Sequence, residues 1–171
     1  MANYNIAYFH NAENSGVMTA EIGGSPGRVK LASPNPAGVT HRWRLQRANT
    51  GPGVTPWWRI RVSDPGIDLY LTASGQATPC RHNGATFDCH ALELLPPATG
   101  PSDSRRQQWF FESYPNTFDQ SAPLFGNGVR IWNRETRSVI CFDPPYASSF
   151  LFSRVNANEG RHSHWFVSMV P

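Results

Sequence analysis

Short stretches in which apolar and polar residues alternate recur along this chain, each closed by residues that favour turns. Tyr4-Asn5-Ile6-Ala7-Tyr8, Trp58-Arg59-Ile60-Arg61-Val62 and Val129-Arg130-Ile131-Trp132 place apolar side chains at every second position. A period of two collects them on one face of a strand, where a helix would need a period near 3.6. Turn-forming clusters follow: Asn11 to Gly16, Ser63-Asp64-Pro65-Gly66 and Asn133 to Ser138. Beyond each cluster a second short strand is predicted, at Val17-Met18-Thr19-Ala20, Tyr70-Leu71-Thr72-Ala73 and Cys141-Phe142-Asp143-Pro144. A third is predicted at Val29-Lys30-Leu31, Ala91-Leu92-Glu93-Leu94-Leu95 and Phe150-Leu151-Phe152.

A fourth segment ends each series: His41-Arg42-Trp43-Arg44-Leu45, Gln107-Gln108-Trp109-Phe110-Phe111 and Ser163-His164-Trp165-Phe166-Val167. Its tryptophans are 66 and 56 residues apart (43 to 109, 109 to 165), and 171 residues divide into three units of about 57. A repeat of this length dictates architecture, because each unit completes its core only against its neighbours. The expectation is an all-β fold of twelve strands in three pseudo-repeats of four. The single domain would span 1–171, with repeats roughly at 1–50, 51–115 and 116–171, and Trp43, Trp109 and Trp165 buried at corresponding places.

Composition agrees. With 39% hydrophobic residues the chain can fill one core. Its 15 prolines and 14 glycines are spread along the chain rather than gathered in a linker, as many tight turns require. The Pro96 to Ser104 stretch falls inside the second unit and lengthens one loop.

The order of strands and the Gln107-Gln108-Trp109 segment resemble the ricin B-type (R-type) β-trefoil lectin family, whose repeats carry a Gln-x-Trp signature. The likeness extends over essentially the whole chain, although His41 and Ser163 replace the glutamine in the outer units. It implies a β-trefoil that binds glycans or glycoproteins. In that family a competent repeat is similar in carrying an aspartate just after the second strand, an aromatic on the third, and an amide near the tryptophan. Carried onto this chain, the aspartate slot falls on Thr19, Thr72 and Asp143, so the third unit alone holds an acid there. The implied site is Asp143 with the aromatics Tyr146 and Phe152, the amides Asn156 and Asn158, and His162 where the family has asparagine. An acid and amides would bond hydroxyls while an aromatic face takes the apolar side of the sugar ring. The chain is also similar to the fungal mycocypin-like trefoil protease inhibitors. On that alternative, Gly23-Gly24-Ser25-Pro26-Gly27 and the Pro96 to Ser104 loop would enter a protease cleft as preformed wedges.

Net charge is +3, carried almost wholly by arginine, with Lys30 the one lysine. The arginines are scattered and cluster no further than adjacent pairs, so no nucleic-acid surface is expected. No apolar run approaches the roughly 18 residues of a membrane span. Met1-Ala-Asn-Tyr-Asn has neither the basic start nor the apolar block of a secretory signal, and three cysteines do not form a paired set; both favour a cytoplasmic protein.

Cys80-Arg81-His82-Asn83-Gly84-Ala85-Thr86-Phe87-Asp88-Cys89-His90 contains the strongest hairpin signal, Asn83-Gly84, which would bring the two thiols face to face, reduced or cross-linked according to redox conditions. The spacing matches no usual zinc arrangement, and no metal or cofactor is expected. There is no Gly-x-Ser-x-Gly, His-Glu-x-x-His or phosphate-binding glycine loop, so no enzyme is expected. The six histidines fall mostly on expected loops or just before the tryptophans, and Cys141 lies in an apolar strand that argues for packing.

Overall fold

The protein is described by a computed structural model covering residues 5–12, 16–33, 41–49, 53–82, 84–113, 128–142, 150–155 and 163–170. Its elements are, in chain order, β1 (Asn5–Asn11), β2 (Val17–Glu21), β3 (Gly27–Ala32), β4 (Trp43–Arg47), β5 (Trp58–Val62), β6 (Tyr70–His82), β7 (Ala85–Leu95), α1 (Pro101–Arg106), β8 (Trp109–Ser113), β9 (Gly128–Asn133), β10 (Ser138–Cys141), β11 (Phe152–Val155) and β12 (Trp165–Val170). The fold is all-β apart from α1. The described residues contain twelve strands, four in each of the ranges 1–50, 51–115 and 116–171.

Antiparallel pairing closes six of the strands into a ring: β1 with β4, β4 with β5, β5 with β8, β8 with β9, β9 with β12, and β12 back to β1. Closure removes the open edges that would otherwise template aggregation. The other six strands form the hairpins β2–β3, β6–β7 and β10–β11. These meet one another through β3–β7, β7–β11 and a single bridge between Lys30 and Phe150. One end of the ring is thereby covered.

Alternation fills the interior. On β8, Trp109 and Phe111 are buried while Phe110 and Glu112 are half-exposed; on β9, Ile131 and Asn133 are buried while Arg130 and Trp132 are half-exposed. Trp43, Trp109 and Trp165 each expose 0% of their surface. Phe9 and Phe111 stack across the interior with ring centroids 6.1 Å apart.

Four details depart from the pattern-based expectation. The second and third strands of the middle unit run on to His82 and from Ala85, so Gly84 lies at the tip of one long hairpin, with an irregularity in register between Ala73 and Ala77. The extension satisfies backbone groups in a stretch whose side chains are largely exposed, which hydrophobic periodicity does not mark. In the third unit the second strand is Ser138–Cys141, not Cys141 to Pro144, because the fully buried run is Ser138-Val139-Ile140. The third strand there is Phe152–Val155, not Phe150 to Phe152. Part of the Pro96 to Ser104 loop is helical: Pro101 enters α1 in the first turn, where its missing N–H is no loss.

Candidate functional site

The three core tryptophans supply an internal ruler. Their indole N–H groups donate to the backbone carbonyls of Met18, Leu71 and Ile140 at 3.0, 3.0 and 3.1 Å. The residue after each carbonyl turns its side chain back to the same place: Thr19 Oγ1 donates to Val17 O, Thr72 Oγ1 to Tyr70 O and Cys141 Sγ to Val139 O. Thr19, Thr72 and Cys141 therefore correspond, so Asp143 does not share a slot with the two threonines. Two residues further on stand Glu21, Ser74 and Asp143. The acid position in the first unit is thus occupied by glutamate, not threonine. The slip arose because the third unit's second strand ends earlier than its composition suggests.

Counting back three residues from Trp109 and Trp165 pairs Arg106 with His162 in the same way. In the middle unit this place is described in full. Ser74 lies on the irregular part of β6, and its carbonyl is 2.7 Å from Nδ1 of the buried His90. Arg106, the last residue of α1, donates to Ala73 O at 3.2 Å and to Asp103 Oδ1 at 2.6 Å. A side chain at Gly75 would meet the Arg106 guanidinium at 3.3 Å, a tight contact that the absence of a Cβ avoids. Gly75, His90, Asp103 and Arg106 line a cavity of about 520 Å³ together with Asp88 and Glu135. Glu135 in turn accepts from Ser102 at 2.9 Å and from Arg105, and this pairing holds its carboxyl below the usual carboxylate range. The result is a polar cleft of sugar-sized dimensions in which donors and acceptors are already held in place.

Gln107, the glutamine of the literal Gln-x-Trp, follows Arg106 and is buried. Its amide donates to Thr72 Oγ1 and Pro96 O at 3.2 and 2.8 Å and accepts from Ala98 N at 2.9 Å. It pins the loop leading to α1.

Of the six residues implied by the resemblance, Phe152 lies on β11 opposite Cys141 and Ala91, packs against Val139 and Cys141, and lines a cavity of about 210 Å³ beside Arg28, Phe150 and the disulfide. Asp143, Tyr146, Asn156, Asn158 and His162 lie outside the described residues. The inhibitor-type loop at Gly23 to Pro26 is exposed, next to Ile22. Cys80 and Cys89 are joined in a disulfide with Cα atoms 5.9 Å apart. The pair is diagonal across the hairpin, since Cys80 faces Phe87 and Cys89 faces Thr78. With two of the three cysteines paired, cysteine count no longer argues for a reducing compartment. His10 and His90 lie on strands and are partly and largely buried, not on loops, whereas His164 stands just before Trp165 as expected and is buried.

No family model matches the sequence, and no curated protein is similar enough in sequence to count as a relative. Solved structures do match. The β-trefoil BEL is 14% identical, with 96% of this chain and 93% of that chain covered and a TM-score of 0.64. A Polyporus squamosus lectin bound to the epitope Neu5Aca2-6Galb1-4GlcNAc is 12% identical at a TM-score of 0.66, with 98% of this chain spanning 49% of that one. The designed three-fold symmetric protein ThreeFoil is 14% identical, covering 95% and 96%, at a TM-score of 0.63. The fold is of the β-trefoil type. At these identities the likeness speaks to fold, and site chemistry has to supply the function.

The residues of the middle cleft were missed by sequence reasoning. Applying the three-before-tryptophan position to every unit would have singled out Arg106. Asp88, Asp103 and Glu135 come from three separate segments and carry no local signal.

Proposed function

We propose that this protein is a ricin B-like lectin of three pseudo-equivalent units that binds glycans without catalysing a reaction. Its principal site is in the third unit: Asp143 as charged acceptor, Tyr146 and Phe152 as aromatic surfaces, and Asn156, Asn158 and His162 as further hydrogen-bonding groups. The observation that supports this reading is the cleft in the middle unit, which is lined by Arg106, the counterpart of His162, and by Gly75, next in sequence to the counterpart of Asp143, and is polar and internally braced. In the third unit the position of Ser74 is taken by a carboxylate, a stronger acceptor for sugar hydroxyls than a serine. The Polyporus squamosus lectin with its bound epitope gives a precedent for glycan recognition on a similar fold.

The test is a glycan array followed by titration of galactose- and N-acetylgalactosamine-type sugars against wild type and Asp143→Ala. Loss of binding in a folded Asp143→Ala variant supports the assignment; unchanged affinity removes it. Inhibition of a cysteine or serine protease by a protein that binds no glycan transfers the function to the surface loops, the exposed Gly23 to Pro26 segment among them.

A further inference from the structure

Trp57, Phe110 and Trp132 line a cavity of about 330 Å³ together with Glu112, Asn133 and Arg137, on the other side of the 133–137 turn from the residues Glu135 and Thr136 of the middle polar cleft. The ring does not need aromatics there. The same cross-strand pair is Arg44 with Arg61 where β4 meets β5, Phe110 with Trp132 where β8 meets β9, and Phe166 with His10 where β12 meets β1. An arginine pair closes an equivalent junction, so the aromatic surface between β8 and β9 answers to something other than folding.

The surface is also held rigid. Trp132 Nε1 donates to Glu112 Oε2 at 2.7 Å, which fixes the indole and leaves the other carboxylate oxygen for further bonds. Trp57 rests against Phe110 at 6.0 Å between centroids. Arg137 stands exposed at the rim with φ 54°, a left-handed conformation in which glycine or asparagine would sit more easily than arginine. Such fixed aromatic faces cost little entropy on binding.

Charge selects the ligand. A cationic ligand meets the Arg134 guanidinium, already 5.2 Å over the Trp57 ring, and Arg137 at the rim. An anionic ligand meets Glu112. A neutral ring with an apolar face and several hydroxyls satisfies aromatic, carboxylate and guanidinium together.

We propose that the Trp57, Phe110 and Trp132 cleft is a second carbohydrate site that stacks a neutral pyranose on indole and bonds its hydroxyls to Glu112. The inference rests on the reading of the protein as a carbohydrate binder but shares no residue with the third-unit site. It is tested on the full chain by calorimetric titration with the methyl glycosides of galactose, glucose and N-acetylgalactosamine, and with tetramethylammonium. Wild type, Trp57→Ala, Glu112→Ala and Asp143→Ala are compared after denaturation curves confirm that each is folded. The expected result is sugar binding that persists in Asp143→Ala with reduced stoichiometry, and whose residual part weakens at least tenfold in Trp57→Ala or Glu112→Ala. Total loss in Asp143→Ala, or binding indifferent to both Trp57→Ala and Glu112→Ala, overturns this site while leaving the third-unit reading standing. Binding that survives Asp143→Ala undiminished but collapses in Trp57→Ala keeps this site and removes the other. Failure of all three glycosides on wild type overturns both, and tetramethylammonium binding at the cleft overturns the ligand class.

Discussion

Each core tryptophan combines bulk with one buried donor, and substitution separates the two. Truncating Trp43, Trp109 or Trp165 to alanine is expected to cost about 3–5 kcal/mol, the range for a large aromatic removed from a packed core. Trp109→Phe keeps most of the bulk but deprives the Leu71 carbonyl of its indole partner, an expected loss of about 1–3 kcal/mol. Urea denaturation measures both, and equal losses for the two variants would contradict the separation. Asp143→Ala should weaken glycan binding by about 1.5–3 kcal/mol, the worth of a hydrogen bond to a charged group. The matching controls are Glu21→Ala and Ser74→Ala rather than changes at the threonines. Glu21 is engaged with Lys30 at 3.0 Å in an exposed pair, so its removal should alter sugar titrations little.

The β6–β7 hairpin shows how one element is secured more than once. Gly84 takes φ +80°, which the tight turn requires and glycine accepts without strain. The ladder pairs ten residues of each strand, from Tyr70 with Leu95 to His82 with Ala85. The Cys80–Cys89 disulfide closes a loop of sequence separation 9 on top of this. Restricting the unfolded chain over such a loop is worth about 2–3 kcal/mol in the loop-entropy account. Replacing both cysteines by serine should lower stability by about that amount while leaving the fold and glycan binding intact; thermal melts and the same titrations check it. Loss of the fold would mean that the hairpin depends on the cross-link.

At the scale of the molecule, β1 is the strand that shuts the ring, pairing with both β12 and β4. His10 on this strand lies opposite Phe166 and is partly buried, and burial holds its pKa below the ordinary histidine value. In the unfolded chain the imidazole takes up a proton near about pH 6.5. Below that pH the unfolded state binds more protons than the folded one, so stability is full above it and falls as pH drops toward the folded value. The urea midpoint should therefore decline between about pH 7.5 and about pH 5.5, and decline less in His10→Asn. A His10→Asn protein with an unchanged pH profile would show that other groups govern ring closure.

The order of strands, the burial of the three tryptophans, the turn at Gly84 and the nearness of Cys80 to Cys89 were all legible from sequence. Periodicity and turn chemistry act over a few residues, and an internal repeat multiplies the same weak signal. Tertiary structure alone decided which strands form the ring, since pairing β1 with both β4 and β12 joins segments that share no local cue. It also decided the slot correspondence: Thr19, Thr72 and Cys141 match because of what three distant indoles bond to, not because of the letters around them. Both clefts belong to the same category. Asp88, Asp103, Arg106 and Glu135 converge from a hairpin, a helix and a turn, and Trp57 reaches Phe110 and Trp132 from the loop before β5. A site is a meeting of surfaces, and surfaces meet only after the chain has packed.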